Sequence, residues 1–341
     1  MQNLELYVLA SLTACALSSV LVPFLIHFTG RFLGDAPFGI KSHTGTVPLV
    51  GGSAVMAGLC ASLILIRFIT NFPTGTLHSL RGILIGGAII YITGLIDDLK
   101  KPQGLGVIPK LILQFAAAYA LYHFDIRIKF LGEGPAGMLL TMLWVVGITN
   151  AFNLLDIMDG LCCSQALCAA LFFLVIALPG EHIYVNFASA AIAGAVAGFW
   201  PYNHKNDGRK AFLGDSGSLL LGFMLAAIAM GTEYSQLKPL SVYAPLLILA
   251  LPIFDTCFVM LIRILQKKNP FKGSPDHIVM RLEKLGLTKN QILMLMLIAS
   301  ICYGALALLT MHLSSFWTII IFGLCAADMA LAAYYIGRVK V

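Results

Sequence analysis

Four polar residues recur at three-residue intervals in the apolar stretch NAFNLLDIMDGL: Asn150, Asn153, Asp156 and Asp159. Residues three apart lie near one face of a helix. That spacing places Asn153, Asp156 and Asp159 toward a common cleft, with Gly160 letting the chain turn as it emerges. Carboxylates beside amides suit a hard cation, or the imide and hydroxyls of a nucleoside. Asparagine alone would serve as polar glue between membrane helices. Two aspartates in addition argue for a site, because ionisable groups at membrane depth are costly and mark a function.

Four further stretches carry chemistry. GLIDDLKK (94–101) ends an apolar run in Asp97 and Asp98, with Lys100 and Lys101 just beyond. Adjacent carboxylates call for a cation or metal to neutralise them, unless the helix end is simply solvated. AFLGDSGSLLLGF (211–223) puts Asp215 near a helix start beside Ser216 and Ser218. Free N–H groups at a helix start attract anions, and the carboxylate suits Mg²⁺, which takes oxygen ligands and phosphate partners. The competing reading is an Asp N-cap. In SPDHIVMRLEKLG, Ser274 and Pro275 fit the N-cap and first position of a short helix. Its Ile278, Arg281, Leu282 and Leu285 form an amphipathic face suited to a membrane surface. His277 is placed to contact a phosphate or move a proton, against the plainer reading of a surface histidine. KSHTGTVPLVGG (41–52) adds Lys41 and His43 as cationic groups, and its glycines allow close helix approach.

The elements that must position these residues are membrane helices. Of 341 residues, 59% are hydrophobic and 11% charged, whereas a soluble chain has about 25% charged. Apolar runs of spanning length, roughly 20 residues, recur throughout. They predict an all-α polytopic bundle of eleven spans, at about 4–28, 47–69, 82–96, 107–123, 137–153, 161–178, 184–201, 215–232, 241–264, 290–311 and 315–336. With no linker or hydrophilic block, residues 1–341 read as a single domain. The eight cysteines all fall in apolar segments without a CxxC pair, as buried free thiols do.

Lys and Arg crowd the connections that follow odd-numbered spans, as at Lys100 and Lys101, at Lys205, Arg209 and Lys210, and from Arg263 to Lys289. Few lie on the other side, among them Arg81, Arg127 and Lys129. The positive-inside rule then puts the N-terminus outside, and the C-terminus and every acidic cluster in the cytoplasm. The formal net charge of +6 is therefore mostly topology, with anionic ligands as a second source, and not a nucleic-acid surface.

Taken together and in order, the motifs from about Asp35 to Leu287 resemble the polyprenyl-phosphate N-acetylhexosamine-1-phosphate transferases (WecA/TagO/MraY-like). GLIDD resembles the family's first aspartate motif, NAFNLLDIMDGL its NxxNxxDGxDG, FLGDSGS its GDxGS, and PIFDT (252–256) the start of its histidine-motif loop. HTGTVPLVGG looks closer to the WecA branch. The resemblance implies transfer of a sugar 1-phosphate, in the first place GlcNAc 1-phosphate, from a UDP-N-acetylhexosamine to an undecaprenyl-type phosphate, releasing UMP. It implies Mg²⁺, with Mn²⁺ as the alternative, a cytoplasmic cleft in a bacterial inner membrane, and a homodimer. Asp97, Asp98, Asp159 and His277 would be catalytic, and Asp215 and Asp156 would hold the metal. Lys41, His43, Lys110, Asn153, Asp156, Asn203, Phe212, Ser218 and Arg281 would bind substrate, with Gln114 matching an amide position.

Three departures stand out: Ile157 in DIMDG, HIVM where the family has HxHH, and Lys101 where a third acid is common. A UDP-MurNAc-peptide donor is the alternative within the family. A cation-coupled transporter would place its carboxylates at the midplane. An intramembrane aspartyl protease would need just two that share a proton.

Overall fold

The computed structural model describes residues 3–29, 33–35, 46–70, 74–130, 132–179, 183–204, 209–231, 239–270 and 274–339. The chain divides into two compact units, Met1–Thr232 and Glu233–Val341. The first holds α1 (Leu4–Thr29), β1 (Gly34–Asp35), β2 (Val47–Pro48), α2 (Gly51–Ile69), α3 (Thr74–Leu99), α4 (Val107–His123), α5 (Pro135–Leu155), α6 (Leu161–Ala177), α7 (Ile183–His204) and α8 (Gly214–Met230). In lipid every backbone polar group must be satisfied internally, which is why these apolar runs are helices. The exception is local: β1 and β2 pair antiparallel, Gly34 with Pro48 and Asp35 with Val47. The segment expected as helix from residue 47 therefore begins as a strand and turns helical at Gly51.

Every expected span carries helix. Among the described residues, seven helices are long and apolar enough to cross a membrane, or eight if one bent pair counts as a span. The chain is an all-α polytopic membrane protein. Three of the expected spans, α4, α6 and α8, are 17 residues each, about 25 Å at the helical rise, against a hydrocarbon core of about 30 Å.

In the first unit α8 is the buried centre, packed by α2, α3, α5 and α6, while α1 lies against α2 and α7. Glycine makes the approach of α8 close enough. A Cβ on Gly94 of α3 would strike the Ser216 backbone, and one on Gly52 of α2 would strike Gly217 and Ser216, as the glycine pair in the sequence suggested. Gly94→Ala is expected to lower the thermal unfolding midpoint, since overpacking a tight contact costs about 1–3 kcal/mol. An unchanged midpoint in detergent would show that α3 and α8 separate freely.

In the second unit a 3₁₀ turn (Pro239–Tyr243) leads into α9 (Ala244–Ile248) and α10 (Ala250–Leu265), followed by α11 (Ile278–Lys284), α12 (Lys289–Thr310) and α13 (Ser315–Gly337). The expected single span at 241–264 is instead bent by 72° at Leu249. The start of α11 also differs from expectation. His277, not Ser274, is its N-cap, and the Ser274 hydroxyl accepts from the Asp276 N–H at 3.3 Å. Of the expected amphipathic face, Ile278, Arg281 and Leu282 are buried within the unit, while Leu285 is exposed. Two thiols expected to be buried, Cys257 and Cys302, are exposed.

Candidate active site

The C-terminal end of α3 and the N-terminal end of α8 meet at a cluster of three carboxylates. Asp98 Oδ1 accepts from the Asp215 N–H at 2.9 Å and Oδ2 from the Ser216 N–H at 3.0 Å. A buried carboxylate of α3 thus caps α8. These first N–H groups, expected to face an anionic ligand, are committed inside the protein. Gly214 makes the turn at φ +75°, and a Cβ there would strike the Asp98 carboxylate. Glycine is required on both counts.

Two lysines offset most of the charge of the three carboxylates. Lys101 Nζ lies 2.9 Å from Asp98 Oδ1 and 3.2 Å from Asp215 Oδ1. From α4, Lys110 Nζ lies 2.8 Å from Asp97 Oδ1 and 2.8 Å from Asp215 Oδ2. Burial works against the Lys101 charge, but Asp215 and Asp98 overcome it and hold the ammonium above the ordinary lysine range. Lys101, first read as a departure at an acidic position, is thus a central member. Its signal was the three-residue spacing from Asp98.

NAFNLLDIMDGL is not helical throughout. α5 ends at Leu155, Asp156 is its C-cap, and Gly160 turns the chain at φ +78°. The three-residue periodicity therefore stops describing a helix face before Asp159. Asn150 and Gln114 exchange amide hydrogen bonds between α5 and α4. Asn153 Nδ2 donates to Ser218 Oγ at 3.0 Å, and that hydroxyl donates to the Gly214 carbonyl at 3.0 Å. Ser218, expected to bind substrate, is fully buried and ties α5 to α8.

Asp159 pairs with Lys210 at 2.6 Å, and the Lys210 ammonium lies 5.3 Å from the centre of the Phe212 ring. Asn203 is a tie as well. Its Oδ1 accepts from the Gly160 N–H at 2.7 Å and its Nδ2 donates to the Ala211 carbonyl at 3.2 Å. That amide, buried to 2% exposure, fixes the turn after Asp159 to the segment bearing Lys210 and Phe212; it is not itself open to a ligand.

The Asp156 N–H donates to the Asn153 carbonyl at 3.4 Å, and the Asp156 carboxylate has no hydrogen bond or ion pair among the described residues. Burial pushes its carboxyl up to about 8, and the Asp215 charge adds to the shift. The donor set is sparse for a metal, since among the described residues no group of three or more His, Cys, Asp or Glu side chains is arranged to hold one. Mg²⁺ asks for less, commonly one or two carboxylates plus water and substrate phosphates. An unpartnered Asp156 coupled to Asp215 fits that requirement.

His277 and Arg281 belong to the second unit. His277 Nδ1 lies 2.7 Å from Asp255 Oδ2, and Asp255, in PIFDT, had stood only for the start of a loop. A lone aspartate in an apolar helix was the available signal. Arg281, expected to bind substrate, is 3% exposed. Its guanidinium donates to the Asp276 carboxylate and carbonyl and to the carbonyls of Gly337 and Val339, so it holds the fold. Lys41 and His43 lie outside the described residues.

Residues 80–233, which contain the whole carboxylate–lysine cluster, match the family described as Glycosyl transferase family 4. The chain is 32% identical over 263 residues to a probable undecaprenyl-phosphate N-acetylglucosaminyl 1-phosphate transferase of Bacillus subtilis (strain 168), covering 74% of this chain and 70% of that one. It is 27% identical over 338 residues to the undecaprenyl-phosphate alpha-N-acetylglucosaminyl 1-phosphate transferase of Escherichia coli (strain K12), covering 90% and 87%. The decaprenyl-phosphate N-acetylglucosaminephosphotransferase of Mycobacterium tuberculosis (strain ATCC 25618 / H37Rv) is 27% identical over 297 residues, covering 77% and 72%.

Proposed function

This chain belongs to glycosyl transferase family 4, and from that premise we propose that it transfers N-acetylhexosamine 1-phosphate from a UDP-sugar to a polyprenyl phosphate. GlcNAc 1-phosphate is the first choice of transferred group and UMP the leaving product. The observation that carries the reading is the Asp97–Asp98–Asp215 cluster bridged by Lys101 and Lys110 where three helices meet. Phosphoryl transfer between two anions needs positioning and charge stabilisation above all, and this cluster supplies fixed charge of both signs.

A carrier-phosphate oxygen attacks the sugar-bearing phosphorus of the donor. The bond from that phosphorus to the bridging oxygen breaks, and UMP leaves carrying the bridging oxygen. Asp97 orients the carrier phosphate or takes its proton. Lys110, anchored between Asp97 and Asp215, and Lys101 face the phosphates. Asp159 with Lys210, and Phe212 beside them, line the nucleotide end. Asp215 and Asp156 would hold Mg²⁺, or Mn²⁺, which when bound screens the donor diphosphate and the departing UMP. His277 enters by resemblance, as a phosphate contact.

The eleven helical segments are read as eleven crossings in a bacterial inner membrane. The N-terminus is outside and the cleft cytoplasmic, as the basic connections require, and two copies form a dimer.

The test is UMP release by the purified protein given UDP-N-acetylglucosamine, polyprenyl phosphate and Mg²⁺. Release that needs all three supports the reading. Silence with a panel of UDP-N-acetylhexosamines, including a muramoyl-peptide donor, sinks it.

A further inference from the structure

The second unit contains a buried carboxylate that the reaction so far leaves without a task. Asp255 sits on α10 at 1% exposure and His277 at the start of α11 at 3%. Asp255 Oδ2 lies 2.7 Å from His277 Nδ1, and Oδ1 accepts the Ile278 N–H at 2.9 Å. One carboxylate therefore grips both the imidazole and the next residue's backbone. It cannot turn away from the ring without releasing the first N–H of α11.

The neighbouring backbone is held from the other side. Asp276 receives Arg281 Nη2 at 3.1 Å and lies 3.6 Å from Arg263 Nη1. Arg263 in turn donates through Nε to the Asn269 carbonyl at 2.7 Å. Two arginines, themselves buried, fix the residue before His277 while Asp255 fixes the residue after it. Val279, at a position where the family carries a second histidine, is packed at 2% exposure. The work of the motif therefore falls on His277.

We infer that Asp255 is a positioning residue for His277. It holds the imidazole proton on Nδ1 and leaves Nε2 as the nitrogen presented to a substrate phosphate. A carboxylate accepts and cannot donate, so a bond at this distance requires the proton on Nδ1. The second partner of a histidine sets which ring nitrogen works. In the neutral ring Nε2 then carries the lone pair; in the charged ring Nε2–H donates to a phosphate oxygen. Both forms work through the same atom. A cap for α11 alone would not need a buried charge, which is costly to desolvate; an amide would serve.

The phosphate half of this assignment rests on the transferase reading, whereas the tautomer does not. The experiment uses the full chain in nanodiscs, with labelled histidine and Asp255→Asn, His277→Ala and the double variant. Imidazole nitrogen shifts assigned to His277, by their loss in His277→Ala, should report Nδ1–H in the parent and Nε2–H in Asp255→Asn. Turnover in Asp255→Asn should fall roughly 10–100-fold, by analogy with the loss of a carboxylate that orients a metal-bound histidine, with little change in KM for the UDP-sugar. On the His277→Ala background the same change should add less than about twofold, because coupled residues are not additive. Asp255→Glu should recover part of the loss. Full additivity, or an Nε2–H signal in the parent, overturns the assignment. A parent with the Nδ1–H signal but no transferase activity overturns the functional reading and the phosphate role, and leaves the tautomer assignment standing.

Discussion

Asp215→Asn is expected to lose turnover by at least ~10²-fold, the scale of removing one fixed electrostatic contact to a reacting group, while the protein still folds and inserts. The substitution keeps the shape of the side chain and removes its charge. Folding should survive because each lysine keeps a second carboxylate: Lys101 retains Asp98 at 2.9 Å and Lys110 retains Asp97 at 2.8 Å. The Asp215 backbone N–H still reaches Asp98. What goes is the carboxylate through which both lysines are linked and which couples to the unpartnered Asp156. Turnover of UDP-N-acetylglucosamine, measured beside the unfolding midpoint, checks this. Normal turnover would remove Asp215 from the chemistry. A collapse of the midpoint would make its role structural.

Asp98→Ala should instead be the most destabilising single change in the cluster. Its carboxylate is buried, caps two N–H groups of α8 and pairs with Lys101. Removing one partner of a buried pair costs about 3–5 kcal/mol, and losing a cap adds about 1 kcal/mol. The unfolding midpoint in detergent should drop by several degrees or more, and activity should fall with it. Asp98→Asn should sit between the two proteins. Its amide oxygen can still accept one of the two N–H groups, while its NH₂ faces the other. A midpoint equal to that of the parent would mean that Lys101 and the start of α8 find other partners readily.

These two residues also show where the sequence was legible. Asp97, Asp98, Asp156, Asp159 and Asp215 stood out because a carboxylate in an apolar run is expensive, a fact of composition that needs no fold. The helices were legible for the same reason, since apolar segments in lipid must satisfy their own backbone. Turn residues were readable too, as at Gly160 with its positive φ.

Local spacing failed wherever the helix stopped, and it could not say which polar residues serve a ligand and which serve the fold. Asn203, Ser218 and Arg281 all sit in the right stretches. Each is spent on a tie within its unit: to Gly160 and Ala211, to Asn153 and Gly214, and to Asp276 and the chain end.

The sequence by itself determined an all-helical membrane protein, the acidic residues on which the proposed chemistry rests and, through their order, its family. Tertiary structure alone decided the partners. Lys110 meets Asp215 across 105 residues and Asp98 meets Ser216 across 118. The Asp98 pair depends on the glycine that lets α3 and α8 touch, and no periodicity in either segment encodes that contact. Charge selects which residues must be compensated, and packing selects what compensates them.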